Sequence, residues 1–250
     1  MKAIHLIQTD STNLYMQRHI RELPEVCSVR ADIQTAGRGR LSRQWDSAKG
    51  GLWFSVLFKL PVLNPFQLQK LCSLSTLEAL NSAVELAKNL GKCFLKWPND
   101  IYFESKKISG CLQKNLFSPT GTSCIIGIGV NVNNPLPEEL KIKAVNLKTI
   151  LSKEGDVESL YQHILENIEH RLTDFCNEKL EADYRKHLLI KDGVHVKVLD
   201  VVNNTHYTGR VIGYPGETLE IKTEEGTQLS FRAADVTLKS WEDQIPRKKR

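Results

Sequence analysis

A basic, glycine-containing segment at residues 34–51 is the part of the sequence best suited to chemistry on an anion. It lies between two apolar runs, 26–33 and 52–60, whose composition predicts buried strands. A connection of this length is usually functional when it has no structure of its own. Its cations outnumber its single acid, and its glycines allow the backbone to come close to a ligand. The segment therefore predicts a binding loop.

The cations of this loop are Arg38, Arg40, Arg43 and Lys49, and Trp45 adds a flat aromatic face. Guanidinium groups bind phosphate oxygens in a fork geometry, and the face of an aromatic ring stacks on other planar rings. These residue types together favour a phosphate-bearing ligand with an aromatic base. The alternative is an ordinary basic surface loop.

Three further segments place polar residues or glycines next to a predicted strand or helix end. They are residues 10–13 (Asp10, Ser11, Thr12, Asn13), residues 96–110 (with Lys96, Trp97, Pro98, Asn99, Asp100, Lys107 and Gly110) and residues 127–133 (with Gly127, Gly129, Asn131 and Asn133). Each has a structural alternative: helix capping for the first, a strand turn with a packed tryptophan for the second, and a bulged core strand for the third. Taken alone, Lys107 is typical of a solvated turn residue.

Standard nucleotide-binding and metal-binding motifs are missing from the sequence. It has no GxxxxGK[ST] segment, and the Gly-x-Gly pairs at 37–39 and 127–129 lack the third glycine of a dinucleotide-binding fingerprint. The six cysteines include no CxxC pair, and the seven histidines form no HExxH pattern. We therefore expect reduced core thiols and no zinc site. ATP binding would require a scheme other than these motifs.

The composition is that of an ordinary globular protein, with 250 residues, 41% hydrophobic and 25% charged. No apolar run approaches the ~18 residues of a membrane span, and the N-terminal residues lack a signal-peptide core, so we expect a cytoplasmic protein. Residues 247–250 supply four of the five net positive charges and leave about +1 for the rest. A folded nucleic-acid binder usually carries a basic patch on its body, so we expect neither a DNA nor a membrane partner.

The periodicity of apolar residues predicts an α+β protein. Helices are predicted at 10–23, at 65–90 with Gly91 closing it, at 156–176 and from there to about 189. Strands are predicted at 3–8, 26–33, 52–60, 93–103 with a bend at Pro98, from 108, and at 124–133, and residues 135–150 are predicted to be a loop. Short strands follow at 195–199, 205–213, 219–223, 227–231 and 236–238. We predict a mixed or antiparallel sheet with helices packed on it, then a small C-terminal β-barrel.

In this order, the four segments resemble the catalytic domain of the biotin protein ligases, also called biotin–[acetyl-CoA-carboxylase] ligases, over about residues 4–240. The resemblance implies a biotin/lipoate ligase-like catalytic domain at 1–190, an SH3-like barrel at 191–240 and a basic tail at 241–250. It also implies a two-step reaction. Biotin and ATP with Mg²⁺ form biotinyl-5′-AMP, and a lysine of a biotin carboxyl carrier protein then receives the biotinyl group. Both a monomer and a homodimer remain open.

The resemblance implies roles for the matching residues. Biotin binding falls to Ser11, Thr12, Asn13, Gln34, Gly37, Arg38, Gly39, Arg40, Lys107 and Gly110, and ATP or adenylate binding to Arg40, Arg43, Trp45, Lys96, Asn99, Asp100, Lys107 and Asn131. Lys107 and Arg40 carry the catalytic roles, Asp100 is a possible acceptor of the proton of the attacking lysine, and the metal ligands stay open. The sequence departs from the family pattern at Ser42, where a glycine is common, and at 111–114. Too few residues precede the first strand for a DNA-binding domain, so no repressor role is expected.

Two other functions compete with this hypothesis. A lipoate–protein ligase or octanoyltransferase has a similar fold and also modifies a carrier lysine, but its members lack the Gly-Arg-Gly-Arg loop with its trailing tryptophan. A nucleotide-binding or RNA-binding module would need basic and aromatic residues across the C-terminal barrel. That region instead balances its cations with acids, namely Asp200, Glu217, Glu220, Glu224, Glu225 and Asp235.

Overall fold

The structure, a computed structural model, describes residues 1–59, 64–89, 91–118, 121–233 and 236–240. The helices are α1 (Thr12–Arg18), α2 (Pro65–Leu86), α3 (Leu147–Leu151), α4 (Val157–Thr173) and α5 (Asn177–Lys186). The strands are β1 (Lys2–Thr9), β2 (Val26–Gln34), β3 (Leu52–Phe58), β4 (Cys93–Lys96), β5 (Asp100–Phe103), β6 (Lys106–Ser118), β7 (Gly121–Val130), β8 (His195–Asp200), β9 (Thr205–Gly213), β10 (Thr218–Lys222), β11 (Gln228–Arg232) and β12 (Val236–Ser240). The predicted α+β class is confirmed.

The first seven strands form one mixed sheet in the order β1-β2-β3-β7-β6-β5-β4. The pair β1–β2 is parallel, and the other neighbours are antiparallel. Every residue of the central strand β3 is buried, which agrees with a sequence that is apolar at every position except Ser55. Phe54 and Val56 face one layer of helices, whereas Leu57 faces the other side of the sheet.

The two long helices α2 and α4 pack against each other and share the larger apolar core with the sheet. Asn64 and Gln67 form a capping box at the start of α2, where Pro65 occupies the first helical position. The opposite face of the sheet is covered by the short helix α1, whose Met16 is fully buried beside Cys27 and Leu57. The sheet is therefore covered on both sides, and the long helices lie on one side as predicted.

The last five strands form a separate antiparallel sheet in the order β11-β10-β9-β8-β12. Its strands fall within one or two residues of the predicted ones and place apolar side chains inside, among them Val196, Val198, Leu219 and Ile221. We call residues 195–240 the C-terminal barrel. Its form is consistent with the small SH3-like domain that we expected, while the domain boundary near residue 190 stays a prediction.

The predicted C-terminal ends of two helices were wrong. Helix α1 ends at Arg18, because His19 and the residues after it form turns that lead to Pro24. A residue that directly precedes a proline is disfavoured in the helical conformation. Helix α2 ends at Leu86, well before Gly91, since Lys88 already has the left-handed φ of 57°. Residue 60 of a predicted strand, residue 90 of a predicted helix and the predicted basic tail at 241–250 lie outside the described residues.

The predicted loop at 135–150 also contains helical turns. A 3-10 helix occupies Glu138–Leu140, and α3 begins after Asn146, whose side chain accepts a hydrogen bond from Thr149 N at 2.9 Å. Helices of three and five residues are too short to show an apolar period, so the pattern could not reveal them. Within the described residues, the structure contains no helix long and apolar enough to cross a bilayer.

A buried lysine joins α2 to α5 and to the C-terminal barrel. Lys70 Nζ lies 2.7 Å from both carboxylate oxygens of Glu181 and 3.2 Å from Gly216 O, between the rings of Phe66 and Tyr184. Burial lowers the pKa of Lys70, and the hydrogen bond to Glu181 opposes that change. The lysine therefore depends on this pair for its charged state.

We expect Lys70→Met to lower the free energy of unfolding by about 2–3 kcal/mol, because Glu181 would lose its partner at a mostly buried site. Urea unfolding followed by circular dichroism measures this. The exposed Lys179 on α5 provides a matched control, since Lys179→Met should change the free energy by less than about 0.5 kcal/mol. Equal effects of the two substitutions would show that the buried pair does not hold the junction.

Candidate active site

A cavity of about 410 Å³ lies where the start of α1, the end of β2, the β4–β5 turn and strands β6 and β7 meet. Residues 35–51, which we call the arginine loop, cover one side of it. All the predicted site residues except Gly37 line the cavity: Ser11, Thr12, Asn13, Gln34, Arg38, Gly39, Arg40, Arg43, Trp45, Lys96, Asn99, Asp100, Lys107, Gly110 and Asn131. The structure thus brings together residues from four separate segments, while their individual roles stay predictions.

One end of the cavity is neutral and polar. Its residues Ser11, Thr12, Asn13 and Gln34 form what we call the polar floor, and the first three are each less than 10% exposed. Gln34 Oε1 accepts hydrogen bonds from Thr12 N at 2.9 Å and from Thr12 Oγ1 at 3.1 Å. Asn13 Nδ2 donates to Leu112 O at 3.3 Å. These contacts fix the side chains before any ligand arrives.

Helix capping does not explain the polar residues at 10–13. Ser11 occupies the N-cap position of α1, but its side chain makes no capping hydrogen bond. Asp10 instead binds Arg18 at 2.6 and 2.8 Å, and this contact holds the pKa of the Asp10 carboxyl well below its usual range. Ser11 is thus the N-cap residue as predicted, although without a side-chain capping bond, whereas Asp10 lies before the N-cap and is held by Arg18.

Two glycines of β7 make room beside the polar floor and the arginine loop. A Cβ at Gly127 would lie 2.5 Å from Asn13 Oδ1, and one at Gly129 would lie 2.7 Å from the Trp45 ring. Strand β7 keeps an unbroken antiparallel register with β3 and with β6, so the alternative of a bulged strand is wrong. Because these glycines have no side chain, Asn13 of α1 and Trp45 of the arginine loop can pack directly against the strand.

The other end of the cavity is cationic. The charged residues of the lining are Arg38, Arg40, Arg43, Lys96, Lys107 and Lys143 against Asp46 and Asp100. Lys107 Nζ lies 2.7 Å from Asp100 Oδ1 and 4.9 Å from the centre of the Trp45 ring. Its side chain is 26% exposed, so the interpretation of Lys107 as a solvated turn residue is wrong. This end is suited to an anionic ligand.

The arginine loop is folded rather than extended. Gly39 N donates to Arg43 O at 2.8 Å and Trp45 N donates to Gly37 O at 2.9 Å, so the loop closes on itself around a short 3-10 turn. Leu41 has the left-handed φ of 55°, which costs about 1 kcal/mol for a residue with a side chain. The loop position whose backbone conformation favours glycine is therefore Leu41. It directly precedes Ser42, the position at which the family often has a glycine.

The C-terminal barrel reaches the loop through Arg40. The Arg40 guanidinium donates to Asn99 Oδ1 at 3.3 Å, to Val236 O at 3.1 Å and to Ala233 O. The partners of this contact are almost 200 residues apart in the chain, so no local sequence pattern could predict it. The sequence also missed Leu136, Leu140, Lys143 and Ala144 of the cavity lining, because residues 135–150 carry no motif.

Comparison with known proteins agrees with this architecture. The profile of the Biotin/lipoate A/B protein ligase family matches residues 5–131. The bifunctional ligase/repressor BirA of Bacillus subtilis is 33% identical over 232 residues, which cover 86% of this chain and 67% of that protein. A biotin–[acetyl-CoA-carboxylase] ligase of Mycobacterium tuberculosis is 31% identical over 199 residues, with 76% and 73% covered. The structure of the Aquifex aeolicus biotin protein ligase in complex with biotin and ATP aligns at a TM-score of 0.79 and 32% identity, covering 95% of this chain and 98% of that one.

The fold and the cavity define a ligase, and the chain belongs to the biotin/lipoate A/B protein ligase family. Within that family it is an enzyme of the biotin protein ligase class, as its relatives and structural neighbours indicate. The resemblance seen in the four sequence segments is thereby confirmed.

Proposed function

We propose that this enzyme joins biotin to ATP, forming biotinyl-5′-AMP, and then transfers the biotinyl group to a lysine of a biotin carboxyl carrier protein, the carrier of an acetyl-CoA carboxylase. The observation that carries the proposal is the juxtaposition of a polar floor and a cationic end in one cavity, with Lys107 at the cationic end. The Aquifex aeolicus ligase has been solved with biotin and ATP, and the Mycobacterium tuberculosis relative acts on acetyl-CoA carboxylase. Both support the choice of substrates.

In the first step an oxygen of the biotin carboxylate attacks the α-phosphorus of ATP. The bond from carboxylate oxygen to phosphorus forms, the bond from the α-phosphorus to the bridging oxygen breaks, and pyrophosphate leaves with that electron pair. The nucleophile comes from the substrate, so the protein needs no serine or cysteine nucleophile. Its contribution is to hold two anions together and to oppose the charge that develops on the phosphate. The excess of cations at the cationic end supplies that field.

We assign the biotin rings to the polar floor and the nucleotide to the side of Trp45, Asn131 and the β4–β5 turn. Lys107 then lies between the two ligands, beside Asp100. Asn131 is held by its backbone hydrogen bond to Ile108 O and by its side-chain contact with Asn134. The arginines of the loop lie on the phosphate side and close over the mixed anhydride.

Magnesium is proposed to enter with ATP. Protein sites for Mg²⁺ usually combine one or two carboxylates with substrate phosphates. Among the described residues no three His, Cys, Asp or Glu side chains are grouped to hold a metal ion, although Asp46 and Asp100 line the cavity. When bound, Mg²⁺ would offset charge on the phosphates, and the exposed Asp46 would be the carboxylate of the lining available to it, since Asp100 is paired with Lys107.

In the second step the carrier lysine attacks the biotinyl carbonyl, and AMP leaves with the electrons of the carbon–oxygen bond. The amine must lose a proton, and Asp100 in the cavity wall is the group that we assign to accept it. An acyl adenylate is readily hydrolysed, so the closed arginine loop has a second purpose in excluding water until the carrier docks.

The proposal is tested by incubating the protein with ATP, Mg²⁺ and either biotin or lipoate. Pyrophosphate release and transfer to a biotin carboxyl carrier domain are measured. We expect both to depend on biotin. Turnover with lipoate and none with biotin would assign the enzyme to the other branch of the family.

Two glycine substitutions should separate the two halves of the cavity. Gly127→Ala crowds Asn13, whose Oδ1 is held 2.5 Å from Ser55 Oγ, so we expect the KM for biotin to rise at least about tenfold. Gly129→Ala crowds Trp45, so we expect the KM for ATP to rise by a similar factor. In the control Gly213→Ala the nearest atom lies 3.9 Å from the new Cβ, and both constants should stay unchanged. If each of the two variants raised the KM for biotin and the KM for ATP equally, the assignment of the two ligands to different ends of the cavity would be contradicted.

A further inference from the structure

A continuous chain of hydrogen bonds joins the sheet beneath the polar floor to the arginine loop. Ser55 Oγ on β3 lies 2.6 Å from Thr12 Oγ1, and Thr12 Oγ1 donates to Gln34 Oε1 at 3.1 Å. Gln34 Nε2 donates to Ser47 Oγ at 2.9 Å, and Ser47 Oγ donates to Trp45 O at 3.2 Å. Ser47 is a residue of the arginine loop, so the chain connects the proposed biotin site with the loop that closes it.

The two ends of the segment that runs from Thr12 to Trp45 fix the hydrogen bonds that Gln34 makes. The carbonyl oxygen of Trp45 can only accept, so the Ser47 hydroxyl donates its proton there and keeps its lone pairs for Gln34 Nε2. At the other end the Thr12 backbone N–H can only donate, so it requires Gln34 Oε1 to face it. The amide of Gln34 is therefore held in one orientation from both sides.

Ser47 is packed as tightly as a core residue. It is 3% exposed, and its backbone oxygen accepts a hydrogen bond from Gln34 N at 3.2 Å. A Cβ at Gly37 would lie 2.5 Å from both Ser47 Oγ and Trp45 O, which explains why only glycine fits there. Gly37 is the predicted site residue that does not line the cavity, and its place is behind this junction. Ser47 likewise lies outside the cavity lining.

We propose that Ser47 is a positioning residue of the biotin site. It acts through Gln34: its hydroxyl orients the Gln34 amide toward the ligand and ties that amide to the Trp45 segment of the arginine loop. The inference rests on the proposed function, since biotin binding is assigned to the polar floor that includes Gln34. It predicts that loss of the Ser47 hydroxyl weakens biotin binding although Ser47 does not touch biotin.

The test is a double-mutant cycle on the full chain with Ser47→Ala, Gln34→Ala and the double variant. Removing one buried partner of a hydrogen bond should raise the KM for biotin about tenfold in Ser47→Ala, with the KM for ATP within about twofold of wild type. In the Gln34→Ala background, Ser47→Ala should add less than about twofold, because its effect passes through Gln34. The matched control is Ser75→Ala, a fully buried serine whose hydroxyl has no partner and whose loss should leave both constants unchanged.

A second variant covers the case in which Ser47→Ala does not fold. Ser47→Cys replaces the hydroxyl with a somewhat larger thiol, which is a weaker donor and acceptor, and it should raise the KM for biotin by a smaller factor than alanine does. Effects of Ser47 and Gln34 that multiply independently, or a Ser47 variant that behaves like Ser75→Ala, would overturn the inference. If wild type fails to turn over biotin in the same assay, the proposed function itself is wrong, and the two failures are thus distinguishable.

Discussion

Replacing Lys107 with alanine should lower the rate of biotin-dependent pyrophosphate release at least about 100-fold, the size seen when one preorganised charge-stabilising group is removed. Lys107 Nζ lies at the cationic end of the cavity, 2.7 Å from Asp100 Oδ1 and over the Trp45 ring. In the proposed arrangement of the ligands, the ammonium group is held where carboxylate and α-phosphate would meet. Negative charge on the phosphate oxygens increases as the phosphorus–oxygen bond forms, so Lys107 stabilises the transition state more than the bound substrates. The substitution should therefore lower kcat more than the affinity for either substrate.

Two further variants isolate the cause of this loss. The adjacent Lys106 donates to Lys141 O at 2.8 Å and is not part of the cavity lining, so Lys106→Ala should keep nearly the wild-type rate. The single variant leaves the Asp100 carboxylate without its cationic partner. The double variant Lys107→Ala with Asp100→Asn removes that charge as well, and its rate should stay low. Recovery of the rate in the double variant would show that Lys107 only neutralises Asp100 and has no catalytic role.

Replacing Arg40 with glycine should shorten the lifetime of enzyme-bound biotinyl-5′-AMP about 100-fold or more and allow bulk lysines to be labelled. Arg40 joins the arginine loop to Asn99 and to the carbonyl oxygens of Val236 and Ala233. Without the guanidinium the loop loses its contact with the C-terminal barrel together with a charge beside the phosphate, and closure that excludes water is weakened. Gel filtration with radiolabelled biotin measures retention, and labelling of an unrelated protein measures escape.

The exposed Arg21 provides the control for this experiment, because it is far from the loop in sequence and is not part of the cavity lining. Arg21→Gly should retain the adenylate as wild type does and label only the carrier. Tight retention by Arg40→Gly would contradict the role of Arg40 in closing the loop.

The sequence predicted the parts of the site in which chemistry is concentrated in short segments. The Gly-Arg-Gly-Arg stretch, the Lys96–Asp100 turn and the glycines of β7 each combine a local structure with unusual residue types, so their order along the chain was informative. Lys107 shows the limit of local patterns. A lysine in a turn is ordinary, and only the family spacing separated it from Lys106.

What the sequence could not predict depends on contacts between distant residues. The bonds from Arg40 to the C-terminal barrel and the chain through Ser47 and Ser55 join segments that no pattern relates. Serine is common in loops and strands, so Ser47 and Ser55 gave no signal. The left-handed conformation at Leu41 was missed as well, because leucine rarely adopts it and the expected glycine position lay one residue later.

The central claim is that biotin and the nucleotide share one cavity beneath the arginine loop. A crystal structure of the protein with biotin and a non-hydrolysable ATP analogue tests it most directly. We expect the biotin rings on Gln34 and Thr12, the base beside Trp45, the carboxylate within about 3.5 Å of the α-phosphorus, and Lys107 in contact with both. Biotin and nucleotide in separate sites, with the arginine loop turned away from them, would contradict the account.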